Sequence, residues 1–255
     1  MAKRDKKPEG FFDFIKTIIY AGLIAVGIHT FLFQPFYIPS GSMVPSLRVD
    51  DFVIVNKFAD GYSRYSFPFA PDLFSGRIFG STPKRGTVVV FRPPGANEDF
   101  IKRVIGLPGD TVQMKQGELY INGKMVPRTY EGQFVDTSDP ALGPVVTKYY
   151  EEYLPGGVKH PIIKVTNGPE FFNGVDPNNT PVYVVPPGHL FLMGDNRDNS
   201  EDSRFLDGPV GYVPIENILG PAEIIFFSIH LDHPFWEFWE WPFEIRWSRL
   251  FHPVP

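Results

Sequence analysis

The amino-acid sequence reads as a mainly β protein behind one N-terminal membrane-spanning helix. An apolar run without charges occurs once, near the N-terminus. Beyond it the chain breaks into short β-branched and aromatic segments, punctuated by many of its 27 prolines and 24 glycines. Aromatic residues make up 16% of the chain, a mix that favours strands and turns over a helical bundle. At 255 residues the chain is long enough for one or two domains with a real core. Hydrophobic residues at 43% and charged residues at 21% exclude a disordered chain. A net charge of −5 speaks against a nucleic-acid partner held by a basic surface. Cysteine is absent, which excludes disulfides, thiolate nucleophiles and cysteine–zinc sites.

Lys3, Arg4, Lys6 and Lys7 give residues 1–16 a basic start. No Asp, Glu, Lys or Arg occurs from Thr17 to Leu47, and residues 17–36 are mostly apolar. About 20 helical residues at 1.5 Å each cross a ~30 Å hydrocarbon core, so this stretch reads as an anchor. Positive charge stays cytoplasmic, which puts the N-terminus inside and the bulk of the chain outside. A cleaved signal peptide is the poorer reading, because the run exits through Phe31, Phe33, Pro35 and Phe36 rather than through small residues. A buried core helix would be shorter, and no second apolar run is present to make a hairpin of spans.

After the anchor, Phe52–Phe58, Thr87–Phe91, Thr111–Gly123, Val182–Val185, His189–Gly194 and Glu223–Ile229 are strand-like runs bounded by Gly and Pro. Lys115-Gln116-Gly117-Glu118 reads as a hairpin turn within the third. No further helix of convincing length is expected. Residues 37–230 form the extracytoplasmic domain, with inserted loops at about 59–84 and 129–181, the second bearing on a smaller β region. All four tryptophans fall between Trp236 and Trp247 in a tail, residues 231–255, that suits a membrane interface, with Arg246 and Arg249 near lipid headgroups. A packed aromatic cover over the β core is the alternative for that tail.

Three segments carry polar groups suited to chemistry. In IPSGSMVPSL, Ile38–Leu47, Ser42 sits on a forced turn nine residues beyond Phe33, within ~30 Å of the membrane face at ~3.3–3.6 Å per extended residue. In FIKRVIGLPGD, Phe100–Asp110, strand alternation turns Lys102 to one face and Ile101 and Arg103 to the other. A buried lysine loses basicity, and a neutral lysine can take a proton from a serine. In MGDNRDNSEDSR, Met193–Arg204, Asp195, Asp198 and Asp202 do not fit the ligand spacing of a calcium loop. Carboxylate–arginine pairs that lock a supporting loop are the other reading. Six histidines, at 29, 160, 189, 230, 233 and 252, offer a Ser-His alternative, but none stands in a recognisable catalytic setting.

Taken in order, PSGSMVPSL, DFVIVNKF, RGTVVVF, IKRVIGLPGD and GDNRDNSEDSR resemble the successive boxes of the type I signal peptidases, the bacterial Ser-Lys membrane proteases of the peptidase S26 type. The resemblance spans the anchor and most of the remaining chain, leaving the two insertions and the Trp-rich tail unexplained. It implies a signal-peptidase-like β-sheet catalytic domain that removes signal peptides after small-X-small (Ala-X-Ala) segments through an acyl-enzyme. Ser42 would be the nucleophile and Lys102 the general base. Ser40 and the Ser42 backbone N–H would hold the oxyanion, and Ser200 would orient Lys102. Asp195 would face Arg103, and Asp202 would face Arg204. Ile38, Pro39, Leu47, Val53, Val90, Phe100 and Ile101 would line two shallow substrate pockets.

The resemblance further implies no metal, no cofactor and no nucleic acid. The partners are signal-peptide-bearing preproteins and membrane lipid, and the enzyme works as a monomer in the bacterial cytoplasmic membrane. Two other functions stay open on the residues alone. One is a self-cleaving Ser-Lys protease of the repressor type, disfavoured by the anchor and the acidic balance. The other is an inactive membrane-anchored scaffold with the same fold.

Overall fold

The structure, a computed structural model, describes residues 10–67, 70, 74–138, 143–165, 176–230, 236–237 and 239–255. The basic cluster Lys3, Arg4, Lys6 and Lys7, the middle of the second insertion and the start of the C-terminal tail lie outside the described residues. Helix α1 runs Phe11–Phe31. The strands follow as β1 Phe33–Tyr37, β2 Asp51–Asn56, β3 Val88–Phe91, β4 Phe100–Gly106, β5 Thr111–Lys115, β6 Glu118–Ile121 and β7 Lys124–Met125. Next come β8 Arg128–Asp136, β9 Val145–Leu154, β10 Val158–Val165, β11 Tyr183–Val184, β12 His189–Met193, β13 Val213–Pro214 and β14 Ile218–Ser228. A single helical turn, α2 Trp241–Glu244, precedes β15 His252–Pro253. The protein is mainly β.

The largest sheet has eight strands in the order β1-β2-β14-β3-β4-β12-β13, with β15 alongside β14. A four-stranded sheet, β11-β5-β6-β7, and a three-stranded sheet, β10-β9-β8, complete the fold. The strand pairs are antiparallel throughout. Strands β3 and β4 are buried on both faces, which is why VVVF and IKRVIG carry apolar residues without interruption by surface positions. One apolar core gathers Ile38, Met43, Leu47, Val53, Val90 and Ile101 beneath the segment that bears Ser42. It fixes that segment against β2, β3 and β4.

Three expectations are corrected. The apolar run does not stay helical to residue 36: α1 ends at Phe31, and Phe33–Tyr37 pairs with β2, Phe33 opposite Asn56 and Tyr37 opposite Phe52. Composition cannot separate a helix from an edge strand when both lack charges, and Pro35 suits the edge. Among the described residues, no helix is both long and apolar enough to be assigned as a membrane crossing.

Residues 129–165 are not an irregular loop but mostly strand, β8 to β10. Much of β8 is exposed and β9 mixes exposed, half-buried and buried positions, with Tyr and Glu interleaved among apolar residues, so no clean alternation of apolar and polar residues marks them. In the tail, Arg249 and Arg246 do not reach outward. Arg249 pairs with the fully buried Asp51, and Arg246 donates to the Val49 carbonyl (2.8 Å), because a buried carboxylate needs a cation more than a lipid headgroup does. Trp236, Trp239, Trp241 and Trp247 are exposed.

Candidate active site

Ser42 lies on a single 3₁₀ turn, Gly41–Met43, between the end of β1 and the start of β2. Lys102 is the third residue of β4 and lies opposite Val89 of β3. The two side chains meet, with Lys102 Nζ 2.7 Å from Ser42 Oγ. Both are buried, Ser42 8% and Lys102 4% exposed. Burial lowers the Lys102 pKa from 10.5 to about 8, against the opposing pull of the carboxylates of Asp202, Asp195 and Glu201. Roughly a tenth of the amine is therefore neutral at pH 7, against well under a thousandth for an ordinary lysine, and a base acting on a serine hydroxyl requires that form.

Behind the pair, the loop from Gly194 to Arg204 is fastened by buried ion pairs. Asp195 accepts from Arg103 Nε (2.8 Å) and Nη2 (2.6 Å), and Ser46 Oγ donates to the same carboxylate. Burial alone would raise the Asp195 pKa; the Arg103 guanidinium reverses that and holds the carboxyl well below the usual carboxylate range. Asp202 pairs with Arg204 Nε (2.8 Å) and accepts the Gly194 N–H (3.0 Å). Asp198 pairs with Lys164 (3.1 Å). The three aspartates thus take three separate cations and do not converge on one point.

Gly194 is the close approach in this loop. A Cβ there would lie 2.2 Å from Ser200 Oγ and 2.5 Å from the Ser42 carbonyl oxygen, so a side chain would push the loop off the nucleophile turn. The Asn196 N–H donates to the same Ser42 carbonyl (3.1 Å).

The resemblance assigns Ser200 to Lys102, but no hydrogen bond joins them. Ser200 Oγ is buried without a partner, beside the Asp202 carboxylate. Ser40 is exposed on the wall of a cleft of about 490 Å³ that opens over Ser42 and Lys102. Ile38, Pro39, Val90, Phe100 and Ile101 line the same cleft. Leu47 and Val53 do not: both are fully buried in the core beneath it, since their side chains point inward from the turn and from β2. Glu98, Asp99, Ser138, Asn199 and Glu201 also line the cleft, and nothing in local composition singles them out.

Sequence reasoning also missed His160. Its ring nitrogens lie 3.3 Å from Glu152 Oε2 and 3.2 Å from Asp195 Oδ1, in a fully buried site where Arg197 Nη1 also donates to Glu152 (2.9 Å). Its setting inside β10 becomes visible only once that strand is known. His189 and His230 are bonded elsewhere, to the Pro187 carbonyl and to Asp50, while the side chain of His29 and all of His233 fall outside the description.

The family model described as "Signal peptidase, peptidase S26" matches residues 11–227. The signal peptidase I of Rickettsia akari (strain Hartford) is 40% identical over 221 residues, covering 82% of this chain and 77% of the relative. That of Rickettsia prowazekii (strain Madrid E) is 40% identical over 214 residues, 80% and 76% of the two chains. A crystal structure of a signal peptidase I from Enterococcus faecalis V583 is 24% identical over 56% of this chain and 97% of its own. Its TM-score of 0.32 is too low for the two shapes to be compared. With a family model across most of its length and relatives at this identity, the chain belongs to the signal peptidase family, peptidase S26, whose members are serine endopeptidases.

Proposed function

We propose that this chain is a membrane-anchored peptidase that removes N-terminal signal peptides from exported preproteins, with Ser42 as nucleophile and Lys102 as base. The observation that carries the reading is the 2.7 Å contact between Lys102 Nζ and Ser42 Oγ in a buried site at the floor of the cleft. An inactive scaffold has no use for a lysine held there against the cost of burial.

Neutral Lys102 takes the Ser42 proton as Oγ attacks the scissile carbonyl carbon. The Ser42 N–H, with Ser40 Oγ from the cleft wall, donates to the oxyanion; one such donor is worth about 3–4 kcal/mol of barrier. The Lys102 ammonium then gives its proton to the leaving amine, and the ester on Ser42 is hydrolysed by water that Lys102 deprotonates in turn. The preprotein lies extended between the Ile38–Ser40 segment and β4, with main-chain bonds supplying affinity. Ile38, Val90 and Ile101 leave room for small side chains, which suits cleavage after small-X-small.

Helix α1 is the anchor in this reading. Its 21 residues are about 31 Å long at 1.5 Å each; Asp13 and Lys16 lie in its first two turns, on the cytoplasmic side, and Ile18, Ile19, Leu23, Ile24 and Val26 are exposed along the charge-free remainder. Residues preceding it face the cytoplasm, and the β domain faces the outer side of the bacterial cytoplasmic membrane. Lipid is a partner, the enzyme works as a monomer, and the exposed tryptophans of the tail rest at the interface.

The test is cleavage of a purified preprotein in lipid by the wild type and by Ser42→Ala. Wild type is expected to cut after a small-X-small segment, and the variant to lose at least ~10³-fold in rate. Undiminished cleavage by Ser42→Ala would remove the nucleophile and the mechanism with it.

A further inference from the structure

The first insertion, residues 59–84, holds a group of apolar side chains that the chemistry does not use. It begins where β2 ends and packs on the last residue of α1. Tyr62 Oη donates to the Phe31 carbonyl (2.7 Å), one of the acceptors a helix C-terminus leaves free. The Tyr62 and Phe31 rings meet edge to face at 6.2 Å. Just beyond the helix, Phe33 meets Phe58 in the same way at 5.7 Å. Ile78 bridges to Tyr62 backbone to backbone, which brings Phe79 to the same place. Phe31, Phe33, Phe58, Ile78 and Phe79 are all exposed, so the end of α1 and the insertion beside it turn apolar side chains outward.

This surface is held in place. Arg77 donates to the carbonyl oxygens of Asp60 (2.9 Å) and Ile215 (3.1 Å) and also to those of Gly61 and Ile218, clamping the insertion to the body of the protein. Phe79 is 90% exposed and has φ +53, a conformation bulky residues seldom take. Gly61, at φ +78, makes this possible, since a Cβ there would lie 2.5 Å from the carbonyl oxygens of Ile78 and Phe79. The backbone is packed inward and the Phe79 ring is turned out, an arrangement that costs stability in water and gains it under an apolar cover.

We propose that this insertion is an aromatic collar that seats in the lipid interface around the exit of α1. The inference rests on reading α1 as the membrane anchor. Aromatic rings favour the layer between headgroups and acyl chains, and the collar is continuous with the helix that would cross that layer. The Trp-rich tail is not the surface beside the anchor. It joins at the Asp51–Ser228 end of β2 and β14, whereas the collar joins at the Asn56 end, opposite Phe33. The collar therefore sets the height of the cleft above the bilayer from the α1 side.

The absence of cysteine makes the test clean, because one introduced thiol takes one label. Phe79→Cys, Leu23→Cys and Lys124→Cys in the full chain would each carry an environment-sensitive fluorophore. Vesicles of phosphatidylethanolamine and phosphatidylglycerol would contain lipids with a nitroxide either near the headgroup or deep in the acyl chain. Position 79 is expected to be quenched by the shallow nitroxide, position 23 by the deep one, and position 124, exposed on β7 of the four-stranded sheet, by neither. Quenching at 23 with none at 79 would overturn the collar and leave the anchor standing. No quenching at 23 would overturn the anchor itself, and the collar with it. Shielding of 79 only in native membranes, and not in vesicles, would point to a protein cover and overturn the lipid assignment. As a second readout, Phe79→Glu is expected to slow cleavage of a membrane-inserted preprotein about tenfold while sparing a short soluble peptide. Equal rates on both substrates would also overturn the collar.

Discussion

Lys102 and Lys57 are both buried lysines, and burial lowers the pKa of each to about 8. Lys57 Nζ donates to Gln34 Oε1 (2.9 Å), tying β2 to β1, whereas Lys102 alone reaches a hydroxyl placed as a nucleophile. Loss of basicity therefore does not make a base without geometry, and the two can be separated by experiment. Since the base must be neutral, kcat/KM is expected to rise with pH and level off above the Lys102 value of about 8. That limb should persist in Lys57→Met; its disappearance there would assign the titration to the wrong lysine. The same shift bears on stability. The folded pKa of about 8 lies below the ordinary 10.5, so the unfolded chain binds the extra proton and the charged form is penalised by the fold at lower pH. A shift of that size is worth on the order of 3 kcal/mol at neutral pH. Lys102→Met should thus be inactive yet more stable than wild type at pH 7 in urea unfolding, with the gain fading between pH 8 and 10.5. A destabilised Lys102→Met would mean that the amine holds the site together rather than being held by it.

At the scale of elements, the loop after β12 and the three-stranded sheet support each other through buried charge. Glu152 on β9, His160 on β10 and Arg197 in the loop form one cluster with Asp195 and Arg103. Burial would raise the Glu152 pKa, but Arg197 first and His160 next reverse it and hold the carboxyl low. Depressed carboxylates add stability above the unfolded value, ~4, and lose it as pH falls below. Acid unfolding is therefore expected to begin at the junction of loop and sheet, with hydrogen exchange in β9 and β10 rising before exchange in β3 and β4. Glu152→Gln should cost about 3–5 kcal/mol, because it leaves the Arg197 guanidinium buried with half its pairing gone. A loss under ~1 kcal/mol in thermal unfolding would show that the sheet stands without the cluster. This cluster was not legible in the sequence. Its bonded members lie as far as 92 positions apart, and Glu152 and His160 sit in strands where polar and apolar residues mix without a clean period of two. The strands β3 and β12 were legible because burial on both faces leaves nearly unbroken apolar runs, while β4 carries Lys102 and Arg103 inside an otherwise apolar run.

Across the whole molecule, the division of labour between helix and sheet domain makes a further prediction. Among the described residues, the buried members of the three apolar cores lie beyond Phe36, and none comes from α1. The cleft likewise begins at Phe36. The sequence showed the serine turn, the lysine strand and the aspartate–arginine loop in order, but not that they converge, since convergence depends on β14 slotting between β2 and β3. It did not show where the helix begins or ends either, because α1 starts at Phe11, ahead of the charge-free run, and that run continues past Phe31 through β1. If α1 only places the enzyme, a chain beginning at Leu32 should fold and unfold within a few degrees of the full protein. It should also cut a short soluble peptide at a near-normal rate. Its rate on a preprotein in the same vesicle should fall by about 10²-fold or more, because shared membrane residence raises the effective concentration of enzyme and substrate. The comparison between the two substrates decides the matter. An equal loss on both would mean that α1, through Phe31 and its contacts with Tyr62 and Phe67, holds the cleft wall at β1 in shape. A loss confined to the preprotein would leave catalysis to the β domain and delivery to the helix.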